Sequence, residues 1–556
     1  MGTLRCGLKL THDGCIAVIA ENELLFSVEA EKIANRPRYS RLNSVSDLRE
    51  LLHANGIGPK DLAAVAVDGW FRKNGESQVT LTDAHGDTHA LDVADYHDHP
   101  GTDLDTLIGV LGKADIFGDG AREFRSCTHT TDHALAGYCS SPYAAAGEPS
   151  LVVIWDGGTA PCLYHFTLDG PALRPLRYLT PVLGLLYPVF ASNLAPFSGS
   201  KQDRESLLLS VSGKAMAYAA LGKPSPELVS VMERTTRLVP PSDVVGLERW
   251  TRKVLTSPEA EGLSDASRMA SLEEYLGRTL VTALETFLRE QPEYRGLPLC
   301  CSGGSALNIK WNARLRASGL FADVWVPPFP NDSGSAIGAA CGEMIRHTGR
   351  SALRWSAFAG PELAPMAEIP PGWSATPCSV TELAALLVAE GEPVVVLTGR
   401  AEIGPRALGH RSIIAPATTE AMRDRLNDIK KREPYRPVAP ICLESQAPKV
   451  FAPGTPDPYM LFDHQVRPAW RGRVPAVMHV DGSARLQTVG PGDHVIFALL
   501  TAYEALTGVP VLCNTSANFE GSGFFPDVES ALRWGRTRFV WSDGVLHTAT
   551  TNGGVR

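Results

Sequence analysis

The sequence predicts an α/β protein of two domains, the first of them internally duplicated. Three observations carry this. Leu4 to Leu10, Cys15 to Ala20 and Glu23 to Val28 alternate as strands around the turns Thr11-His12-Asp13-Gly14 and Glu21-Asn22. A related pattern returns at Ser150 to Phe166, where Leu151 to Trp155 leads into Asp156-Gly157-Gly158-Thr159 and out again through Ala160 to Phe166. Beyond the Pro-, Ala- and Gly-rich stretch from Trp355 to Ser374, a helix pattern at Val380 to Ala389 and the strand Pro393 to Leu397 open a fresh α/β unit. The boundary is placed near residue 365, giving domains 1–365 and 366–556.

A third glycine turn, Ser302-Gly303-Gly304-Ser305, follows the strand Leu297 to Cys301 and precedes the helix pattern Ala306 to Ser318. Strand, glycines and helix N-terminus make a site for a phosphate or another anion, although tight structural turns share the pattern. Residues 76–105 form a polar insertion, read as a surface hairpin or loop that leaves a role in acceptor recognition open.

At 556 residues, 44% apolar and 20% charged, the chain is long and apolar enough to bury a large core. The net charge of −9 gives no global sign of a nucleic-acid partner. The 11 cysteines form no C-x-x-C pair and sit mostly in apolar runs, so they read as buried hydrophobes in a reducing cytoplasm. The start MGTLRCGLKLTHDG carries no signal-peptide pattern, and no apolar run reaches the roughly 18 residues of a membrane span.

His129 and His133 stand four residues apart, so on a helix both imidazoles leave the same face and can share one cation with a third ligand. The alternative is an ordinary pair of helical histidines. His85 and His89 share the spacing, but Gly86-Asp87 argues against a helix there, and with His97 and His99 they are assigned to the solvated insertion. Asp332 is the third-ligand candidate, yet its place just before a helix fits an N-cap as well. Arg400, Arg406, Arg411, Lys430, Lys431, Arg432 and Arg436 make a dense cationic set in an acidic chain. A solvated basic face is the plain alternative, but Arg406 and Arg411 sit among glycines and prolines where no helix face is being built.

These pieces together resemble the O-carbamoyltransferases that modify antibiotics and nodulation factors. The resemblance covers nearly the whole chain. It rests on His12-Asp13-Gly14, Glu29-Ala30-Glu31-Lys32, the H-x-x-x-H pair, Asp156-Gly157-Gly158, Ser212 to Met216, Ser302 to Asn308, Asn331-Asp332, Gly399 to Ser412, Asn427 to Pro437 and Cys513 to Asn518. It departs at Ile33 to Arg38, which do not keep the family's usual basic pattern, at Thr130, where the family doubles its first histidine, and at Ala517, where the family has Phe.

The resemblance implies a duplicated actin/sugar-kinase/Hsp70-like, threonylcarbamoyl-transferase-like N-terminal domain followed by a YrdC-like α/β domain. It implies metal ligands His129, His133 and Asp332, with iron the expected ion, and MgATP as a second cofactor. His12 is expected to act as base or to orient the carbamoyl group, and Arg406, Lys430, Arg436 and Ser516 to form carbamoyl adenylate from carbamoyl phosphate. Asp13, Asp156, Gly157, Lys214, Gly303, Gly304, Asn308, Arg400, Arg411, Asn427, Arg432, Asn514 and Thr515 are expected to hold nucleotide or phosphate. The acceptor is a hydroxylated small molecule; the N-terminal start looks closest to the cephem 3-hydroxymethyl type, and a homodimer is plausible. No nucleic-acid or membrane partner is expected. The rival readings are a threonylcarbamoyl transferase acting on tRNA, a hydrogenase-maturation carbamoylase and a non-catalytic ATP-binding protein of the same fold.

Overall fold

β1 (Leu4–Lys9), β2 (Cys15–Ala20) and β3 (Glu23–Glu29) form the predicted meander. Its first turn closes because Asp13 adopts a left-handed φ of 51°, a conformation aspartate tolerates. The computed structural model describes residues 2–100, 105–366 and 368–550. Its two units are Met1–Ala30 with Tyr39–Ser356, and Glu31–Arg38 with Ala357–Arg556.

In the first unit, β4 (Leu62–Val67), β5 (Val110–Ala114) and β6 (Arg122–Ser126) complete a sheet of order β3-β2-β1-β4-β6-β5. The helix α1 (His129–Cys139) follows. A second sheet then repeats the plan: β7 (Ser150–Ile154), β8 (Cys162–Thr167), β9 (Ala172–Tyr178), β10 (Leu299–Ser302) and β11 (Val324–Trp325) lie in the order β9-β8-β7-β10-β11. In both sheets an antiparallel meander hands over to a parallel strand. The duplication expected from the two Asp/Gly hairpins is therefore present in the strand order. Between β9 and β10 lie α2 (Arg204–Ala219) and α3 (Asp265–Glu290). The helices α4 (Ile309–Ala317) and α5 (Ser335–Thr348) complete the part that matters for the site.

Every residue of α1 is buried. It packs against α5 so closely that a Cβ on Gly338 would stand 1.8 Å from the Asp132 carbonyl oxygen. Only glycine permits that approach. One consequence is that the two histidines of α1 and the aspartate leading α5 are held at a short, fixed spacing.

The insertion behaves differently from the polar surface expected. His85 and His89 are exposed, in the hairpin that pairs Thr80–Thr82 with Thr88–Ala90. Its later part turns inward: Leu91, Val93, Tyr96 and Asp98 are buried, and the His129 and Thr130 amides donate to the Asp95 and Tyr96 carbonyls. His97 is half-buried, which corrects its assignment to solvent. Residues 101–104 of the insertion lie outside the described residues.

The second unit has one large mixed sheet. Its elements are β12 (Trp373–Pro377), α6 (Val380–Glu390), β13 (Val394–Leu397), β14 (Arg411–Pro416), α7 (Glu420–Ile429), β15 (Ala439–Leu443), β16 (Gln487–Val489), α8 (His494–Thr507), β17 (Val511–Ser516), β18 (Phe539–Ser542) and β19 (Val545–Ala549). The strand order is β12-β19-β18-β13-β14-β17-β15-β16. Ser379 and Glu382 form a capping box that starts α6, and Gly391 in a left-handed turn ends it. Apolar side chains from β13, β14, β15 and β17 and from α6 and α8 form its core. Segment 31–38 joins this unit from the far end of the sequence. All 11 cysteines are buried, and among the described residues no helix is long and apolar enough to cross a membrane.

Candidate functional site

The first site gathers at the C-terminal ends of β1, β4 and β7, where the strands hand over to turns. Thr128 caps α1, its hydroxyl accepting from the Thr131 amide, and so fixes where His129 and His133 begin their shared face. His129 Nε2 and His133 Nε2 are 3.1 Å apart, and Asp332 Oδ1 is 3.5 Å from each. Asp156 Oδ2 lies 4.0 Å from His129 Nε2. Ligand atoms of these four buried residues all fall within 4.8 Å of one another. Donors about 2.1 Å from one ion stand roughly 3.0 Å apart at right angles and about 3.4 Å apart in a tetrahedron. The His129, His133 and Asp332 spacings match those edges, and the donor set suits a divalent transition metal. Asp332 does not cap α5; it opens a 3-10 turn, Asp332–Gly334, its side chain turns into the cluster, and Gly334 holds the cap position of α5.

Several groups around the ligands were not anticipated. Asp68, at the end of β4, binds His129 Nδ1 at 2.8 Å, which turns His129 Nε2 toward the cluster. Burial works against charge on His129, but Asp68 prevails and the imidazole rises to about 9. Lys9 is buried between Asp68 (2.9 Å) and Asp332 (3.0 Å) and lies 3.6 Å over the Trp70 ring. Tyr96 donates to Asp156 Oδ2 at 2.5 Å, and the Gly304 amide donates to Asp156 Oδ1 at 2.6 Å. Asp68-Gly69 repeats the Asp-Gly turn signal of the two hairpins, but nothing local marks it, or Lys9 in a strand that also carries Arg5, as part of a site.

His12 stands at the rim. Its Nδ1 is 3.5 Å from both Asp13 Oδ2 and Asp332 Oδ2, and its ring meets Trp70 edge-on at 5.2 Å. Burial lowers its basicity, but Asp332 and then Asp13 raise it above the ordinary value. Gly303 takes φ 88° in the turn behind Asp156, and Gly157 accepts from the Leu185 amide. Asn308 is engaged otherwise: its Oδ1 caps α4 and its Nδ2 donates to the buried Glu273. Lys214 is half-buried on α2.

The second site forms where β14, β17 and the end of α7 meet in the second unit. Lys430 donates to Ser516 O and Asn518 Oδ1, at 2.8 and 2.5 Å. Burial, then Arg38, Arg432, Arg436 and Arg536, push its ammonium well below the ordinary value. Asn427 accepts from Arg432 Nε and donates to the Arg436 carbonyl, so it sets both arginines. Thr515 accepts from Arg432 Nη1, and Ser516 donates to Asn518. Burial and the repulsion of Arg436 and Arg485 push the Arg432 guanidinium down to about 9. Arg406 is held well below the ordinary guanidinium value by burial, Arg485, Arg38 and Arg436. Arg406 Nε, Arg432 Nη2 and Arg485 Nε are buried without a hydrogen-bond partner among the described residues. A guanidinium keeps its proton in practice. Crowded cations with unmet donors are therefore relieved by an anion rather than by deprotonation.

Three residues expected at this site face elsewhere. Arg411 donates to the carbonyls of Thr398, Gly399 and His410, and so holds its own loop. Arg400 pairs with Glu362 at the surface. Asn514 is buried and bridges the Ala407 carbonyl and Gln487. The sequence pattern missed Glu402, which accepts from the amides of Leu408, His410 and Arg411 and shapes the loop that presents Arg406.

The family model for the carbamoyltransferase N-terminus matches residues 4–341, and the model for the carbamoyltransferase C-terminus matches residues 385–540. The chain belongs to the carbamoyltransferase family. It is a transferase of carbamoyl groups, so its substrates include a carbamoyl donor and an acceptor. It is 44% identical to nodulation protein U of Rhizobium tropici, covering 98% of this chain and 96% of that protein. It is 35% identical to the 3'-hydroxymethylcephem-O-carbamoyltransferase of Streptomyces clavuligerus, covering 95% of each. Over the whole chain the nodulation protein is the more similar of the two, whereas the N-terminal start pointed to the cephem type. A ROK family protein from Streptococcus pneumoniae, solved with sucrose, aligns with 62% of the chain at 9% identity and TM-score 0.26, too low to bear on the fold.

Proposed function

We propose that the chain is an ATP-dependent O-carbamoyltransferase. Carbamoyl phosphate, MgATP and water give carbamoyl adenylate, phosphate and pyrophosphate at the YrdC-like second unit. The carbamoyl group then passes to a hydroxyl of a small metabolite at the first unit, with AMP leaving. The observation that carries this reading is the pairing of chemistries in one chain: a buried four-donor cluster and a separate group of crowded arginines with unmet donors.

At the second unit, Arg406, Lys430, Arg432 and Arg436 surround the phosphate oxygens, and their fixed charge lowers the cost of charge moving between phosphoryl groups. Thr515 and Ser516 present hydroxyls beside Arg432 and Lys430. Asn427 keeps two of the arginines in place before substrate arrives, so little reorganisation accompanies binding.

At the first unit, His129, His133 and Asp332, with Asp156 adjacent, would hold a divalent transition metal such as Fe²⁺. Bound there, such an ion supplies Lewis acidity toward an adenylate phosphate. His12 takes the proton of the attacking hydroxyl or orients the carbamoyl group, with Asp13 fixing the ring. Lys9 offsets the charge of Asp68 and Asp332. Trp70, Phe71 and Tyr96 form an aromatic wall beside the histidines, on which an acceptor can lie. The acceptor is a hydroxylated secondary metabolite, as the names of the relatives support.

The test is incubation of the full chain with carbamoyl phosphate, MgATP, Fe²⁺ and a panel of hydroxylated metabolites, read by mass spectrometry. AMP and a carbamoylated product are expected. If neither forms with any acceptor, the reading is wrong.

A further inference from the structure

We infer that residues 31–38 are a working part of the second unit's anion site, with Arg38 binding the phosphate chain at its rim and Lys32 positioning the loop that carries Arg406. This rests on the adenylation reading of that unit. The segment is far in sequence from the other groups, and nothing in the motif pattern assigned it to them.

The segment is sewn into the unit at two places. Pro37 bridges Ser522 as an added antiparallel step, the Arg38 amide donates to the Gly521 carbonyl, and the Gly523 amide donates to the Arg36 carbonyl. Packing is so tight that a Cβ on Gly523 would stand 1.9 Å from the Glu31 carbonyl oxygen. Asn35 adds a bond to Ser530. Beyond the short 3-10 helix Ala30–Lys32 and the turn in which the Arg36 amide donates to the Ile33 carbonyl, these bonds are what hold the segment.

Lys32 is buried, with 1% of its surface exposed, and its ammonium donates to the carbonyls of Glu402 and Gly404 at 2.5 and 2.8 Å. It also lies 4.9 Å from the Phe524 ring. A buried lysine bound to two backbone carbonyls forgoes hydration, which a stabilised loop can justify. That loop continues through Pro405 into Arg406. Lys32 does not face the anion, so it acts through Arg406.

Arg38 is exposed, and its Nε donates to the Ser522 carbonyl at 3.4 Å. The same carbonyl accepts from Asn518 Nδ2 at 3.0 Å, and Asn518 Oδ1 accepts from Lys430. One short hydrogen-bonded path thus ties the guanidinium to the Lys430 ammonium. Its charge acts on Arg406, Lys430 and Arg436 alike. An exposed guanidinium drawn toward like charges is costly unless an anion with several oxygens lies between them. Two phosphate sources fit, the polyphosphate of ATP and the phosphate of the carbamoyl donor.

The experiment is calorimetric titration of the full chain with pyrophosphate and, separately, with inorganic phosphate. Arg38→Ala is expected to weaken at least one of them about tenfold, the loss of one charge-assisted bond, and Arg38→Lys to restore most of it. The anion that suffers identifies the source. Arg38→Ala is expected not to lower the melting temperature of the free chain, because the side chain is exposed and its loss removes a like charge from the cluster. Lys32→Met is expected to raise KM for ATP in pyrophosphate release while keeping the fold, and if it does not fold the Arg38 pair still decides. Wild-type affinity for both anions in Arg38→Ala overturns the inference. A wild-type chain that releases no pyrophosphate from ATP and carbamoyl phosphate refutes the adenylation reading instead, whatever the titration gives.

Discussion

At the scale of single residues, the most informative pair is His129 and Asp68. A ligating imidazole needs its outer nitrogen held, and Asp68 does this at 2.8 Å. Asp68→Asn keeps the volume but removes the anion. We expect it to weaken Fe²⁺ or Zn²⁺ binding roughly 10–100-fold, measured by competition with a chelator, with circular dichroism unchanged; undiminished affinity would show that Asp68 serves folding alone. Lys430 gives a pH prediction. Its folded value is held well below 10.5 by burial and four arginines, so between that value and 10.5 the unfolded chain holds the extra proton. Stability of the free chain then rises with pH across that window. A bound anion favours the protonated lysine, so its stabilising effect does the reverse and shrinks as pH climbs. Melting curves with and without pyrophosphate should show this shrinkage in wild type and lose it in Lys430→Met. The histidine pair and the arginines were legible because their residue types and spacing advertise charge. Lys9 and Asp68 were not singled out, because a charge inside an apolar strand has meaning only once three strands converge on it.

At the scale of elements, the hairpins, the capped helix α6 and the strand after it were legible, since alternation and turn chemistry are local. The later part of the insertion was not. Leu91 and Val93 flank the exposed Asp92, but the buried Ala94 breaks the period before Tyr96, and aspartates and histidines dominate the composition, so no two-residue repeat marks the segment. Nothing local says that Asp98 will be buried against Thr130, Thr131 and Tyr164. The contact between α1 and α5 is likewise long-range. It leads to a sharp expectation for Gly338→Ala, whose Cβ would meet the Asp132 carbonyl at 1.8 Å. The helices must separate, at a cost of about 2 kcal/mol or more. Because α1 carries His129 and His133 while Asp332 leads α5, the variant should lose bound metal as well as thermal stability. A lower melting temperature with full metal stoichiometry would mean that the ligands follow the helices and that the spacing is not set by this contact.

At the scale of the whole molecule, the question is why one chain carries both sites. Each unit has its own core and its own cluster, and the chemistry assigned to each differs in what it needs. The arginine group is the one proposed to act on phosphates, and among the described residues it offers no cluster of metal-ligating donors, whereas the histidine cluster holds a single lysine between two aspartates rather than crowded arginines. The two half-reactions should therefore separate by mutation. Replacing both His129 and His133 with Ala removes two of four donors and leaves every residue of the arginine group unchanged. That variant should make no carbamoylated product, yet should still release pyrophosphate from ATP when carbamoyl phosphate is added. Carbamoyl adenylate formed without a receiving site is exposed to water, so AMP should accumulate with no product to match it. Arg406→Ala should fail in both assays, since without the adenylate there is nothing to transfer. Parallel measurement of pyrophosphate by a coupled assay and of product by mass spectrometry distinguishes the cases. Loss of pyrophosphate release in the histidine variant, with its fold intact, would show that the first unit takes part in making the adenylate, and the division of labour drawn here would have to be abandoned.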